Sequence, residues 1–135
     1  MIKFVVMTAI VALGVAGCAP SHRDGRAAAL AERYAAGVER VVAAFDAVRD
    51  EASAIAAADA FVSWSEETMT VYAAQVRALS DAEKEALAAR EAELSSVVRD
   101  IATRGMKKVY AYPNALRHLG ERAQAINRRL MRRIG

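Results

Sequence analysis

The sequence predicts an all-α protein: an antiparallel bundle of four helices that follows an apolar N-terminal segment. Three observations carry this. Apolar residues recur at spacings of three and four through nearly the whole chain after residue 26, the period of one helix face. The composition is rich in alanine, leucine, glutamate and arginine, with Pro20 and Pro113 the only prolines, and lacks the β-branched and turn clusters that a sheet needs. Ser80-Asp81-Ala82-Glu83 is a capping box, which places a sharp turn and a new helix start at a defined point.

The elements follow in order. Ala19 to Gly25 is short, polar and turn-like and reads as a linker. In the first helix Leu30, Tyr34, Val38, Val41, Phe45 and Val48 form one stripe, with Arg33, Glu39, Arg40 and Asp46 off it. Asp50-Glu51-Ala52-Ser53 offers a cap and an acidic first turn for the second helix. There Ala58, Val62, Ser65, Met69, Tyr72, Val76 and Leu79 repeat the pattern, and Phe61, Trp64 and Val71 widen the apolar face. After the Ser80 cap, Leu87, Leu94, Val98 and Ile101 share a face whose phase persists through Gly105 to about Tyr110. Carrying that glycine inside a helix costs about 1 kcal/mol relative to alanine. Tyr112-Pro113 ends the element, because a residue before proline avoids the helical region. The last helix carries Leu116, Leu119, Ala123, Ile126, Leu130 and Ile134. Short connections between four such helices favour up-down-up-down order; a hairpin of the two middle helices with looser outer ones is the alternative.

The N-terminal segment has its own logic. Lys3 supplies one positive charge, Phe4 to Leu13 is apolar except for Thr8, and Val15-Ala16-Gly17 lead to the chain's single cysteine, Cys18. Phe4 to Gly17 spans 14 residues. As a helix this is about 21 Å, short of the roughly 30 Å hydrocarbon core of a bilayer. The box Val15-Ala16-Gly17-Cys18 resembles the lipobox of bacterial lipoproteins. The resemblance implies cleavage between Gly17 and Cys18, a diacylglycerol on the Cys18 sulfur and an N-acyl chain on its amine (palmitate-type lipidation), hence a tether much firmer than a single acyl chain gives. By the same resemblance, Ala19 in place of aspartate favours the outer membrane, facing the periplasm. Three parts result: 1–17 a signal peptide, 18–25 a lipidated tether and 26–135 the helical domain. Removing 17 residues from 135 leaves 118, one modest domain, and with Cys18 lipidated no disulfide staples it.

The segment Arg49–Phe61, R-D-E-A-S-A-I-A-A-A-D-A-F, with the long second helix and capped third, is similar to small exported helical bundles and, more distantly, to the periplasmic b-type cytochrome bundle. That cytochrome family implies haem held between a methionine of the first helix and a histidine of the last. His118 falls in the last helix but near its start, and the first helix has no methionine; Met69, Met106 and Met131 lie elsewhere. His118 therefore reads as a partly exposed polar residue. Metal binding wants clustered ligands, and His22 and His118 are the only histidines. Glu66 and Glu67 are adjacent and point about 100° apart on a helix, so they do not share a site. Ser80 is explained by capping, while Ser63, Ser65, Ser95 and Ser96 have no histidine near in sequence. Phe61, Trp64 and Tyr72 read as core in preference to a ligand groove. No Gly-rich phosphate loop is present. The expectation is a protein without catalytic residues, metal or cofactor beyond the lipid on Cys18.

Charge is the remaining signal. Residues 19–100 hold nine basic and fifteen acidic residues, net −6, whereas residues 101–135 hold nine basic residues and one acid, Glu121, net +8. Arg128, Arg129, Arg132 and Arg133 form the densest run. One reading is intramolecular, a basic helix beside acidic ones. The other is contact with anionic envelope material: phospholipid headgroups, lipopolysaccharide or wall polymer. Export argues against nucleic acid. The expected function is that of a lipid-anchored cell-envelope protein with a structural or interaction role, its partners being the membrane and an envelope protein or anionic polymer. The alternative is a small-ligand or cofactor (haem-like) carrier using the bundle interior.

Overall fold

The computed structural model describes residues 22–134, so the lipobox residues Gly17 and Cys18 lie outside the described part. Among the described residues every regular element is helical. Seven α-helical segments form five rods. They are α1 (His22–Asp46), α2 (Glu51–Glu67), α3 (Ala73–Arg77), α4 (Asp81–Glu93), α5 (Ser95–Asp100), α6 (Met106–Tyr110) and α7 (Pro113–Ile134). A π-helical turn, Thr68–Tyr72, fuses α2 to α3, and a second, Ile101–Gly105, fuses α5 to α6.

Both predicted caps form. The Asp50 carboxylate accepts from the Ser53 N–H at 2.9 Å while the Ser53 hydroxyl accepts from the Asp50 N–H at 3.0 Å. The Ser53 hydrogen bonds hold the Asp50 carboxyl below its ordinary range. Ser80 and Glu83 make the same reciprocal pair at the head of α4. Pro113 opens α7, where its missing N–H costs nothing.

Three expectations need correction. The tether was placed at 18–25, but α1 already begins at His22: no described glycine takes a positive φ, and Arg26, one turn on, is held by Glu83. The predicted third helix is interrupted at Leu94, where the turn tightens: the Leu94 N–H donates to the Glu91 carbonyl three residues back at 3.0 Å (φ −96°, ψ −2°), and the Ser95 hydroxyl donates to the Ala92 carbonyl at 2.8 Å. The second helix does not keep its phase. Thr68 and Thr70 donate their hydroxyls to the carbonyls of Trp64 and Glu66, at 2.8 and 2.7 Å, and the backbone widens into a π turn there. Tyr72 stays buried, but Met69 is turned outward to 52% exposure.

Taken as one limb bent at Leu94, α4–α6 runs in a single direction, and with it the chain goes up-down-up-down: α1, α2–α3, α4–α6, α7. Two of the closest-packed pairs are nevertheless parallel. Arg26 meets Glu83 and Phe45 meets Gly105 and Lys108, so α1 runs alongside α4–α6 in the same direction. Asn114 meets Glu51 and Arg129 meets Glu66, which makes α2 and α7 parallel with a constant offset. Between them α1 and α2 are antiparallel, with Tyr34 stacked near Trp64 and Phe45 near Phe61. The hydrophobic interior divides accordingly. One cluster, at the α1–α2 turn, joins Val38, Val41, Phe45, Ala54, Ala57, Ile101, Val109 and Ala115 from all sides. The other, at the α2–α4 connection, joins Ala27, Leu30, Tyr72, Leu79 and Leu87 without α7.

Small residues set the helix spacing. A Cβ added at Gly37 would lie 2.6 and 2.9 Å from the Trp64 indole, so only glycine lets α1 approach α2 there. Gly37→Ala should destabilise the domain by about 1–3 kcal/mol through overpacking, more than the helix propensity it gains. Gly120→Ala, whose Cβ meets nothing within 4 Å, should instead stabilise it by about 0.5–1 kcal/mol. Paired thermal melts check both signs.

Candidate functional site

The basic last helix is the remaining functional signal within the described residues, and α2 is what positions it. Ala115 and Ile126 bury against the bundle, and a polar seam runs beside them. Asn114 donates to Glu51 at 2.7 Å, and His118 Nε2 lies 2.7 Å from Asp59 Oδ1. Arg122 donates to the Ser63 hydroxyl at 3.3 Å, and its buried Nε sits 3.3 Å from Asp59, off the hydrogen-bond direction. Arg129 grips Glu66 with two parallel hydrogen bonds of 3.1 and 3.0 Å. A fork of this kind has the directional fit that guanidinium and carboxylate share.

The seam divides the four arginines that the sequence grouped together. Arg129 is paired inside the fold, as the intramolecular reading required. Arg128, Arg132 and Arg133 are exposed and make no ion pair among the described residues. Their positions follow from helical geometry. Arg129 lies on the seam, whereas Arg128, Met131 and Arg132, spaced i, i+3 and i+4, share the outward face.

Among described residues the exposed large hydrophobics are Met69, Val71, Tyr110, Leu116, Met131 and Ile134. The Asn114–Glu51 and Arg129–Glu66 pairs each span 63 positions. At that offset Met131 and Ile134 of α7 stand level with the π turn that carries Met69 and Val71. Four of the six therefore fall at one height. The sequence had put Met69, Leu116 and Ile134 on interior stripes. The π turn displaces the first, while Ala115 takes the core position beside Leu116. Ile134 lies beyond the last residue of α7 that α2 buries.

Two sizeable grooves lie elsewhere on the surface of the described residues. The larger, about 490 Å³, lies between the end of α1 and the second π turn, floored by Val42, Phe45, Val97 and Ile101 and rimmed by Asp46 and Arg104. Lys108 crosses beside it to donate to the Phe45 carbonyl at 3.3 Å, closing the C-terminus of α1. The second groove is bounded by Tyr34, Tyr72, Arg77 and Glu91. Tyr72 donates its hydroxyl to the Glu91 carboxylate, and burial together with that carboxylate holds the phenol well above its ordinary pKa. His118 lines neither groove, and Phe61 packs in the core while Trp64 packs between Tyr34 and Phe61. Among the described residues no three histidines, cysteines or carboxylates gather as metal ligands, and no helix is long and apolar enough to cross a membrane. Set against known proteins, the chain matches no protein-family model, no curated protein and no solved structure.

Proposed function

We propose that this protein is a lipid-anchored cell-envelope protein with a structural or interaction role, held by acyl chains on Cys18 and more suited to the periplasmic face of the outer membrane. The observation that carries the reading is the Val15-Ala16-Gly17-Cys18 box behind an apolar stretch too short to span a bilayer. The basic helix supports it. At the end of α7, Arg128, Arg132 and Arg133 stay exposed with no ion pair among the described residues after Glu66 has taken Arg129, so local charge balance does not account for all of the run. In this reading the protein works by placing a rigid surface at the membrane, and its residues perform no bond-making chemistry.

Cys18→Ser tests the anchor. Signal removal and acylation both depend on that sulfur, so the variant should accumulate at precursor mass, retaining Met1–Gly17. A product of mature mass that still partitions with membranes would rule the reading out. One observation favours a second reading, that of a small-ligand carrier: the groove at Phe45 and Ile101 is large enough for a compact apolar molecule. A ligand that co-purifies and is released when Phe45 is changed would support that alternative.

A further inference from the structure

We infer that the groove bounded by Tyr34, Tyr72, Arg77 and Glu91 is a binding site for an α-amino acid with an apolar side chain. The site goes beyond the lipid-anchor reading and holds whether or not Cys18 is acylated. The groove, about 450 Å³, lies where α1, the first π turn with α3, and α4 come together. Its size suits a small molecule. α7 contributes no residue to the hydrophobic cluster or to the groove at this end, so the space is not filled by the fourth helix of the bundle. The π turn Thr68–Tyr72 ends on the groove's buried tyrosine, and π turns of this kind are frequent at functional sites.

Each part of such a ligand meets its complement. The Glu91 carboxylate takes the ammonium. Its Oε1 accepts the Tyr72 hydroxyl, while Oε2 makes no hydrogen bond or ion pair among the described residues and is left to accept an N–H. The Tyr34 and Tyr72 rings, with centroids 5.5 Å apart and planes tilted by 36°, add the attraction of an aromatic face for a cation. Burial and then the Glu91 carboxylate hold both phenols above their ordinary range, so the charge of Glu91 reaches both tyrosines of the groove. Arg77, the exposed last residue of α3, lines the same groove and is likewise without an ion pair among the described residues. Its guanidinium is a donor fork shaped for a carboxylate. Opposite charges that share a groove without pairing to each other fit a ligand that carries both. A simple cation would meet Arg77 as a like charge, and a simple anion would meet Glu91. Ala73 and Val76 supply an apolar wall for the side chain.

The test titrates the full chain, in non-ionic detergent, with free leucine and with two analogues that each lack one charge. Isoamylamine is leucine without its carboxylate, and isocaproate is leucine without its ammonium. Leucine should bind saturably at millimolar concentration, and each analogue about tenfold more weakly, through the loss of one charge-assisted contact. Glu91→Gln, which still accepts from Tyr72, should weaken leucine about tenfold and leave isocaproate no weaker. Arg77→Gln, a change at an exposed position, should weaken leucine to the level of isoamylamine and leave isoamylamine no weaker. Thermal melts of both variants read their folding; if Glu91→Gln does not fold, Arg77→Gln decides alone. No saturation by leucine at millimolar concentration would overturn the inference, as would equal binding of all three probes. Full leucine binding in a folded variant of either residue would overturn it too. Isoamylamine binding as tightly as leucine would overturn it in favour of a simple cation site, and isocaproate doing so in favour of an anion site.

Discussion

Phe45→Ala is expected to destabilise the domain by about 3–5 kcal/mol, lowering the melting temperature by about 10–20 °C. Phe45 is 3% exposed and packs edge-on to Phe61, with ring centroids 6.3 Å apart. It also fills the space opposite Gly105, where an added Cβ would lie 3.1–3.5 Å from the ring. Truncation therefore opens a cavity where α1, α2 and the second π turn meet. The same geometry predicts a coupling. In the intact protein Gly105→Ala gains helix propensity of about 1 kcal/mol but presses its Cβ into the ring, so the net change should be small. In the Phe45→Ala background the clash is gone and the new methyl partly refills the cavity, so Gly105→Ala should stabilise. A double-mutant cycle by chemical denaturation reads this directly. Additive effects would show that the two residues do not share the cavity.

Glu83 carries a pH-dependent contribution on the acid side. Its carboxylate is 1% exposed, accepts from Arg26 at 3.0 and 2.7 Å and from the Ser80 N–H at 3.1 Å. The Arg26 hydrogen bonds, with the Ser80 N–H second, pull its pKa down to about 2 against the cost of burial. The folded value lies below the unfolded one, near ~4.3. The stability it contributes is therefore complete above the unfolded value and is lost as pH falls toward about 2. Glu83→Gln should melt earlier than the parent at pH 7, and the two curves should converge as pH falls from about 4 to about 2. A gap that stays constant over that range would mean the charge of Glu83 does not act in the fold. Because Arg26 is 60% exposed on the other side of the pair, salt should reduce the gap only in part.

These two residues differ in how visible their roles were. Glu83 was legible as a capping residue, since a serine three positions before a glutamate states that geometry outright. Its pairing with Arg26, 57 positions away, was not. Phe45 was legible as core, but its partner Gly105 read only as a helix weakened by about 1 kcal/mol. Gly37 carried no signal at all, because the need for glycine there arises from the Trp64 ring of another helix.

The sequence by itself determined the all-helical class, both capped starts, the proline that ends the third helix and the charge imbalance between its parts. Each is written in local spacing or in one residue's backbone preference, over distances a helix turn spans. Tertiary structure alone decided which helices lie side by side. Amphipathic stripes specify that a face is buried but not against what, so the parallel pairing of α1 with α4–α6 and of α2 with α7 was not written in the pattern. The π turns belong with it. A threonine hydroxyl that takes a carbonyl four residues back is compatible with an ordinary helix, and only packing makes the wider turn the lower-energy choice. That one choice turned Met69 outward and brought it level with Met131. The seam on α2 likewise took Arg129 out of the basic run and left Arg128, Arg132 and Arg133 on the surface.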